Sequence, residues 1–241
     1  MQFEVCVESL QGAMNAVQGG ATRIELCSSL IEGGLTPSAG LIREVKRHCP
    51  VPVHVMVRPR SGDFLYSPNE IQTMLSDIEY CQFLEVDGLV FGALDSQGEL
   101  DTWAMQQLMQ ASGRTKVTFH RAFDVCKNPT RALEQLIELG VRRVLTSGQA
   151  STAFEGRQLI AALVRQARDR LTILPGSGIT KDNVIPLLQA THAREVHFSG
   201  RSAQKNHPFH EKDGLKFGVS EDQWLTSAEN VRLVVQKVLG G

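Results

Sequence analysis

Apolar residues recur along the chain with two alternating periods. Short runs of period two start near residues 2, 22, 51, 87, 116, 142, 171 and 193. They read QFEVCVE, TRIELCS, VPVHVMVR, DGLVFGAL, KVTFHRAF, RRVLTSG, LTILPGSGI and AREVHFSG. Each is followed by apolar residues at helical spacing, as in Ile71, Met74, Leu75 and Ile78, or Leu159, Ile160, Leu163, Val164 and Ala167. Helix starts carry their own punctuation. Ser67-Pro68-Asn69-Glu70 reads as a capping box with Pro at the first helical position. Asn128-Pro129 and Thr36-Pro37 repeat the cap-then-Pro logic. Thr180 and Ser220 read as further caps, the latter boxed with Gln223. Gly19, Gly20 and Gly140 stand where helices should stop.

Eight strand-then-helix units spaced ~20–36 residues apart predict an α/β fold. It is a single (β/α)8 TIM-type barrel over residues 1–241, close to the usual ~250 residues of that architecture. A doubly wound open sheet fits less well, since it rarely needs eight even units. The eighth helix is expected at about 221–239, preceded by a long polar loop over 201–220. After strand 8, such a loop lies at the C-terminal mouth, where barrel sites sit.

The strand parities are unusual. Phe3, Val5 and Val7 oppose Glu4, Cys6 and Glu8, while Ile24 and Leu26 oppose Arg23, Glu25 and Cys27. Val53, Val55 and Val57 oppose His54, Met56 and Arg58; Val117 and Phe119 oppose Thr118 and His120, with Asp124 beyond. Val196 and Phe198 oppose Glu195, His197 and Ser199. Helices pack on the apolar parity, so the polar parity faces the barrel interior. Barrel interiors are more often Val, Ile and Leu, and buried charges are costly unless paired. Two readings follow. Either Glu4, Glu25 and Glu195 pair with Arg23, Arg58 and the histidines in a self-contained network, or the upper layers form a site that the lower layers support.

Composition narrows the partners. Twenty-five basic against 26 acidic residues leave no basic excess to neutralise phosphates, so no nucleic-acid partner is expected. No apolar run reaches the ~18–20 residues of a membrane span, and the start Met1-Gln2-Phe3-Glu4-Val5 shows no signal peptide. Five scattered cysteines without a Cys-x-x-Cys pair suit reduced thiols in the cytoplasm.

Several residues at the mouth suit chemistry. Arg58 and Arg60, in Arg58-Pro59-Arg60-Ser61-Gly62-Asp63-Phe64, offer guanidinium forks to a carboxylate or phosphate, or else hold their own loop through an Arg–Asp pair. His120 stands at the height of a general acid or base, with Glu25 or Asp124 to orient it; the alternative is a satisfied core histidine. Gly176-Ser177-Gly178 after strand 7 and Ser199-Gly200 after strand 8 match the usual barrel phosphate position, or are simply tight turns. These residues outline an enzyme acting on a small anionic or phosphorylated metabolite, with Glu25, Arg58, His120 and Asp124 as its catalytic set. Cys6 and Cys27 share the inward parity on adjacent strands. Two thiolates there can hold one soft ion such as Cu(I), with Met56 adding a thioether; neighbouring Glu4, Glu8 and Glu25 oppose thiolate formation. Two small buried hydrophobes are the bland alternative. His207 and His210 read as solvated.

The chain resembles the CutC copper-homeostasis protein family. The matching segments are Glu4-Val5-Cys6, Arg23-Ile24-Glu25-Leu26-Cys27, Glu32-Gly33-Gly34-Leu35-Thr36-Pro37-Ser38, Arg58-Pro59-Arg60 with Gly62-Asp63-Phe64, Asp87 to Gly92, Val117 to Asp124, and Arg143 to Gly148. Ser61 stands where the family usually has Gly, and the stretch from Arg201 to Val219 follows no family pattern. The resemblance implies a cytosolic barrel, often a homo-oligomer, with a Cu(I) site that carries over to Cys6 and Cys27. It also implies a barrel similar to that of an enzyme of unassigned substrate. No organic cofactor is expected.

Overall fold

The computed structural model describes residues 1–205 and 222–240. Strands β1 (Gln2–Val7), β2 (Arg23–Leu26), β3 (Val53–Met56), β4 (Gly88–Phe91), β5 (Lys116–Phe119), β6 (Arg143–Thr146), β7 (Thr172–Pro175) and β8 (Glu195–Phe198) are parallel and pair in the order β7-β6-β5-β4-β3-β2-β1-β8. Helices α1 (Leu10–Gln18), α2 (Ala39–His48), α3 (Pro68–Phe83), α4 (Thr102–Ser112), α5 (Pro129–Glu138), α6 (Arg157–Ala167) and α7 (Val184–Thr191) follow the first seven strands, and α8 (Ala228–Leu239) completes a (β/α)8 barrel. The ring closes between β7 and β8, where Gly176 is the ladder partner of His197.

The predicted parities hold. Phe3, Val5, Val7, Ile24, Leu26, Val53, Val55, Val117, Phe119, Val196 and Phe198 join the apolar faces of the helices in one large core. Cys27, Met56 and Val90 form a separate small cluster inside the barrel, with Leu30 against it. Burying the outward strand faces drives the assembly at ~25 cal/mol per Å² of apolar surface. The inward faces therefore carry chemistry without sacrificing the main core.

The helix starts follow local hydrogen bonding. The Ser67 hydroxyl accepts from Glu70 N–H at 3.3 Å and the Glu70 carboxylate accepts from Ser67 N–H at 2.7 Å, completing the capping box. Asn128 caps α5 through Arg131 N–H at 3.0 Å. Two expected caps act differently. Thr36 does not start a helix; its hydroxyl bonds Asp77 and the backbone of Arg58, and Ser38 caps α2 instead. Thr180 N–H donates to Asn183 Oδ1 at 2.8 Å in a turn before α7.

The segment after β8 also departs from expectation. Arg201–Lys205 (β9) and Asp222–Thr226 (β10) form an antiparallel pair, with Arg201 opposite Thr226. The eighth helix begins at Ala228, capped by Ser227, rather than near 221. Gln223, Trp224, Leu225 and Thr226 lie in a strand, so Gln223 is no part of a capping box. Asn15 Nδ2 donates to the Thr226 carbonyl at 2.9 Å, tying β10 to α1. Ser220, His207 and His210 lie outside the described residues.

Candidate functional site

The polar interior is layered. In the lower layer, Glu4 is fully buried and accepts from Arg23 Nε. Arg23 Nη2 also meets Glu195 Oε2 at 2.5 Å, and Arg143 Nε meets the same oxygen at 2.9 Å. Burial opposes ionisation of Glu4, but Arg23, His197 and His54 outweigh it and hold the carboxyl well below its usual range. Arg23 is likewise penalised by burial and, on balance, raised by Glu4 and Glu195. His54 Nδ1 lies 3.9 Å from Glu4 Oε2. Burial dominates at His54 and pushes its pKa down to about 3. A Cβ at Gly88 would stand 2.5 Å from the His54 ring, so β4 leaves this position empty to admit the imidazole.

The upper layer begins one residue pair higher. The β1–β2 register sets Cys6 opposite Glu25, and β8 brings His197 to the Glu4 level of β1. His197 Nδ1 binds Glu4 Oε1 at 2.8 Å, and its Nε2 lies 3.7 Å from Glu25 Oε2. One donor atom each of Cys6, Glu25 and His197 lies within 4.8 Å of the others. Burial raises the Glu25 pKa, and Glu4 adds to the shift. Burial opposes protonation of His197, but Glu25 and Cys6 reverse this and raise its pKa well above the usual value.

This layer floors a cavity of about 550 Å³ that opens at the C-terminal ends of the strands. Its walls include Met56, Phe64, His120 and Leu145, and its rim includes Ser177, Gly178, Lys181, Ser199, Gly200 and Arg201. The volume is that of a small-molecule site.

Of the residues singled out in the sequence, Cys6, Glu25, His120, Ser177, Gly178, Ser199 and Gly200 meet at this cavity. Cys27 does not join the donor group. Its thiol donates to Glu25 Oε2 at 3.5 Å, and burial, followed by Glu25 and Cys6, pushes its pKa well up. Arg58 is spent inside its own loops. Its Nη1 donates to the carbonyls of Glu32 and Gly34, its Nη2 to that of Gly62, and its guanidinium stacks 4.9 Å from the Phe64 ring centroid. Arg60 pairs with Glu70 and Asp63 away from the cavity wall. Asp124 accepts from Thr146 Oγ1 at 2.5 Å, from Ser147 N–H, and from Arg121 Nε at 2.7 Å; it braces the β5 and β6 loops and does not orient His120. Gly176 is buried, and a Cβ there would meet Leu145 at 2.6 Å.

His197 and Arg143 are the residues that sequence reasoning left unassigned. The inward parity of His197, between Glu195 and Ser199, was its signal. Arg143 opens β6 and gave none beyond its place at a strand start.

The donor set is chemically mixed. A thiol and an imidazole suit soft and borderline metals, and the carboxylate supplies a hard oxygen. Glu4 fixes the His197 ring from behind, as outer-shell carboxylates do at metal-binding histidines. Alternatively, the carboxyl–imidazole pair can exchange a proton with a bound molecule.

The CutC family profile matches residues 1–202. The chain is 44% identical over 243 residues to a family protein CutC of Bacteroides thetaiotaomicron, covering 98% of both chains. It is 48% identical over 215 residues to the human copper homeostasis protein cutC homolog, covering 89% of this chain and 76% of that one. The crystal structure of CutC from Streptococcus agalactiae superposes with a TM-score of 0.79 at 35% identity, over 83% of this chain and 98% of that one.

Proposed function

The chain belongs to the CutC family, a copper-homeostasis family, and from that premise we propose that it binds Cu(I) on the floor of the mouth cavity, with Cys6 as the anchoring ligand. The observation that supports this reading is the convergence of Cys6, Glu25 and His197 donor atoms within 4.8 Å. Once the Cys6 thiol and the His197 Nε2 have each given up a proton, they are the soft and borderline donors that Cu(I) favours; one proton can pass to Glu25, whose carboxyl burial holds toward the protonated form, and the other leaves to solvent. Cys27 serves as a thiol donor to Glu25 and as sulfur-rich packing beside Met56; both flank Gly34, whose Cβ would lie 3.1 Å from the Cys27 sulfur. All five cysteines are free, and a Cu(I) site of this kind works only with Cys6 reduced, which supports a reducing compartment such as the cytoplasm.

The test is an anaerobic titration against a chromogenic Cu(I) chelator. Wild type and Cys27→Ser are expected to compete for one equivalent, while Cys6→Ser loses competition. Undiminished binding by Cys6→Ser would falsify the assignment.

A second reading, an enzyme acting on a small anionic or phosphorylated metabolite at the same mouth, is favoured by one observation. Glu25 Oε1 and His120 Nε2 are buried without a hydrogen-bond partner, and both residues line the cavity. Such orphaned groups cost ~1–3 kcal/mol each unless something bound there pairs with them. A screen of phosphorylated metabolites for turnover, with Glu25→Gln as the inactive control, tests it.

A further inference from the structure

We propose that the β7–β8 side of the mouth is a cradle for a phosphomonoester, with the phosphoryl group on the backbone of Gly178, Ser199 and Gly200 and the organic part reaching His120. This rests on the second reading above for its chemistry, but it requires only binding.

Three observations carry it. First, the rim has the local shape of an anion cradle. Ser177 and Gly178 are successive residues with φ of 85° and 69°, and Gly200 has φ of 55°. Successive N–H donors converge on one concavity where the backbone handedness changes in a turn, as it does between Ser199 and the left-handed Gly200. A left-handed Ser is strained by ~1–3 kcal/mol, and here the strain is held in place. The Ser177 hydroxyl donates to the Ser151 carbonyl at 2.9 Å, and the Ser177 carbonyl accepts from Ala153 N–H at 3.0 Å. Gly178 N–H, Ser199 N–H and Gly200 N–H donate to no protein acceptor among the described residues.

Second, the charges at this lip suit an anion. Lys181 and Arg201 line the rim with these loops, against one acidic neighbour, Asp182, which pairs with Lys181 at 2.9 Å. Glu25 lies on the floor of the same cavity, so the anion is directed to the rim rather than to the base.

Third, the wall holds a neutral, unspent donor. His120 is 3% exposed. Its Nδ1 accepts from Ala122 N–H at 3.3 Å, which puts the ring hydrogen on Nε2, the atom without a partner. Burial, then Arg58, pushes its pKa down to about 3, so the ring stays an uncharged donor. Phe64 and Phe119 clamp it at centroid distances of 4.8 and 6.0 Å. A cavity of about 550 Å³ running from this donor to the rim exceeds a lone phosphate and accommodates the carbon skeleton of a small ester.

Calorimetric titration of the full-length chain at matched ionic strength tests the proposal, with inorganic phosphate and ribose 5-phosphate as probes and ribose as the control. Both phosphates are expected to bind saturably, the ester more tightly, and ribose not at all. Ser199→Asp sets a carboxylate at the cradle and should weaken both at least tenfold; Lys181→Glu, on the exposed rim, should weaken both without risk to folding. His120→Leu should weaken the ester alone. Binding without turnover of any phosphomonoester supports the cradle and counts only against the enzyme reading. Absence of saturable binding to the folded wild type, or unchanged affinities in both rim variants, overturns the proposal.

Discussion

His197 Nδ1 lies 2.8 Å from Glu4 Oε1, and this contact determines which imidazole nitrogen faces the cavity. Glu4 is held ionised by Arg23 and the histidines despite its burial, so it accepts the Nδ1 hydrogen and turns Nε2 toward Glu25 and Cys6. A carboxylate on the neighbouring strand, fully buried behind the cavity floor, thereby tunes the ligand paired with it.

Glu4→Gln should therefore weaken Cu(I) binding ~10–100-fold without touching a ligand, the usual effect of removing an outer-shell carboxylate. Competition with a Cu(I) chelator reads this directly. An affinity within twofold of wild type would show that Glu4 serves folding alone.

Arg23→Met should destabilise the fold by ~3–5 kcal/mol, because it leaves the fully buried Glu4 without its guanidinium partner, while the half-buried Glu195 keeps only Arg143. Adding Glu4→Gln should return part of that loss, so the double variant is more stable than the sum of the singles predicts. Urea unfolding of the four proteins in the cycle gives the coupling. Simple additivity would mean that the network is energetically idle.

His54 makes stability depend on acid. Its folded pKa, about 3, lies below the ordinary 6.5, so its contribution is complete above 6.5. As pH falls from there, the unfolded chain takes up a proton that the folded chain refuses, and stability drops by ~1.4 kcal/mol per pH unit until the folded pKa is reached. His120 acts in the same direction. In His54→Gln, unfolding free energies measured between about pH 6 and 4 should fall less steeply by one proton's worth. Parallel curves for the variant and wild type would exclude His54 as the source.

Gly88→Ala should cost ~1–3 kcal/mol by overpacking, since the new methyl lands on the His54 ring. Combining it with His54→Ala should relieve the clash, though not the lost packing. Thermal melts of the single and double variants check the rescue; a Gly88→Ala protein as stable as wild type would mean the ring moves freely.

The barrel was legible in the sequence because its outer strand faces must be apolar, so Val5, Ile24, Val55 and Val196 mark one parity and expose the other. What parity cannot supply is stagger. Cys6 and Cys27 share a face on adjacent strands, yet the register sets Cys6 beside Glu25 and brings in His197 from the last strand. Arg58 illustrates a second limit. A guanidinium at a strand end suits an anion equally well whether that anion is a ligand or the carbonyls of Glu32, Gly34 and Gly62, and only the folded loops decide. The Gln223–Thr226 strand escaped because Gln-Trp-Leu-Thr carries no period-two alternation to mark a strand, and it runs straight into the helix that follows.

The pairing of Gly176 with His197 gives the closure of the ring a second meaning. The residue that joins the last strand to the seventh is the same one whose imidazole serves the cavity floor. Whatever occupies that floor is thus fastened to the seam between the two ends of the sheet. Emptying or filling it is expected to change how firmly the barrel's eighth strand is locked, and amide exchange along β8 should report occupancy from the backbone.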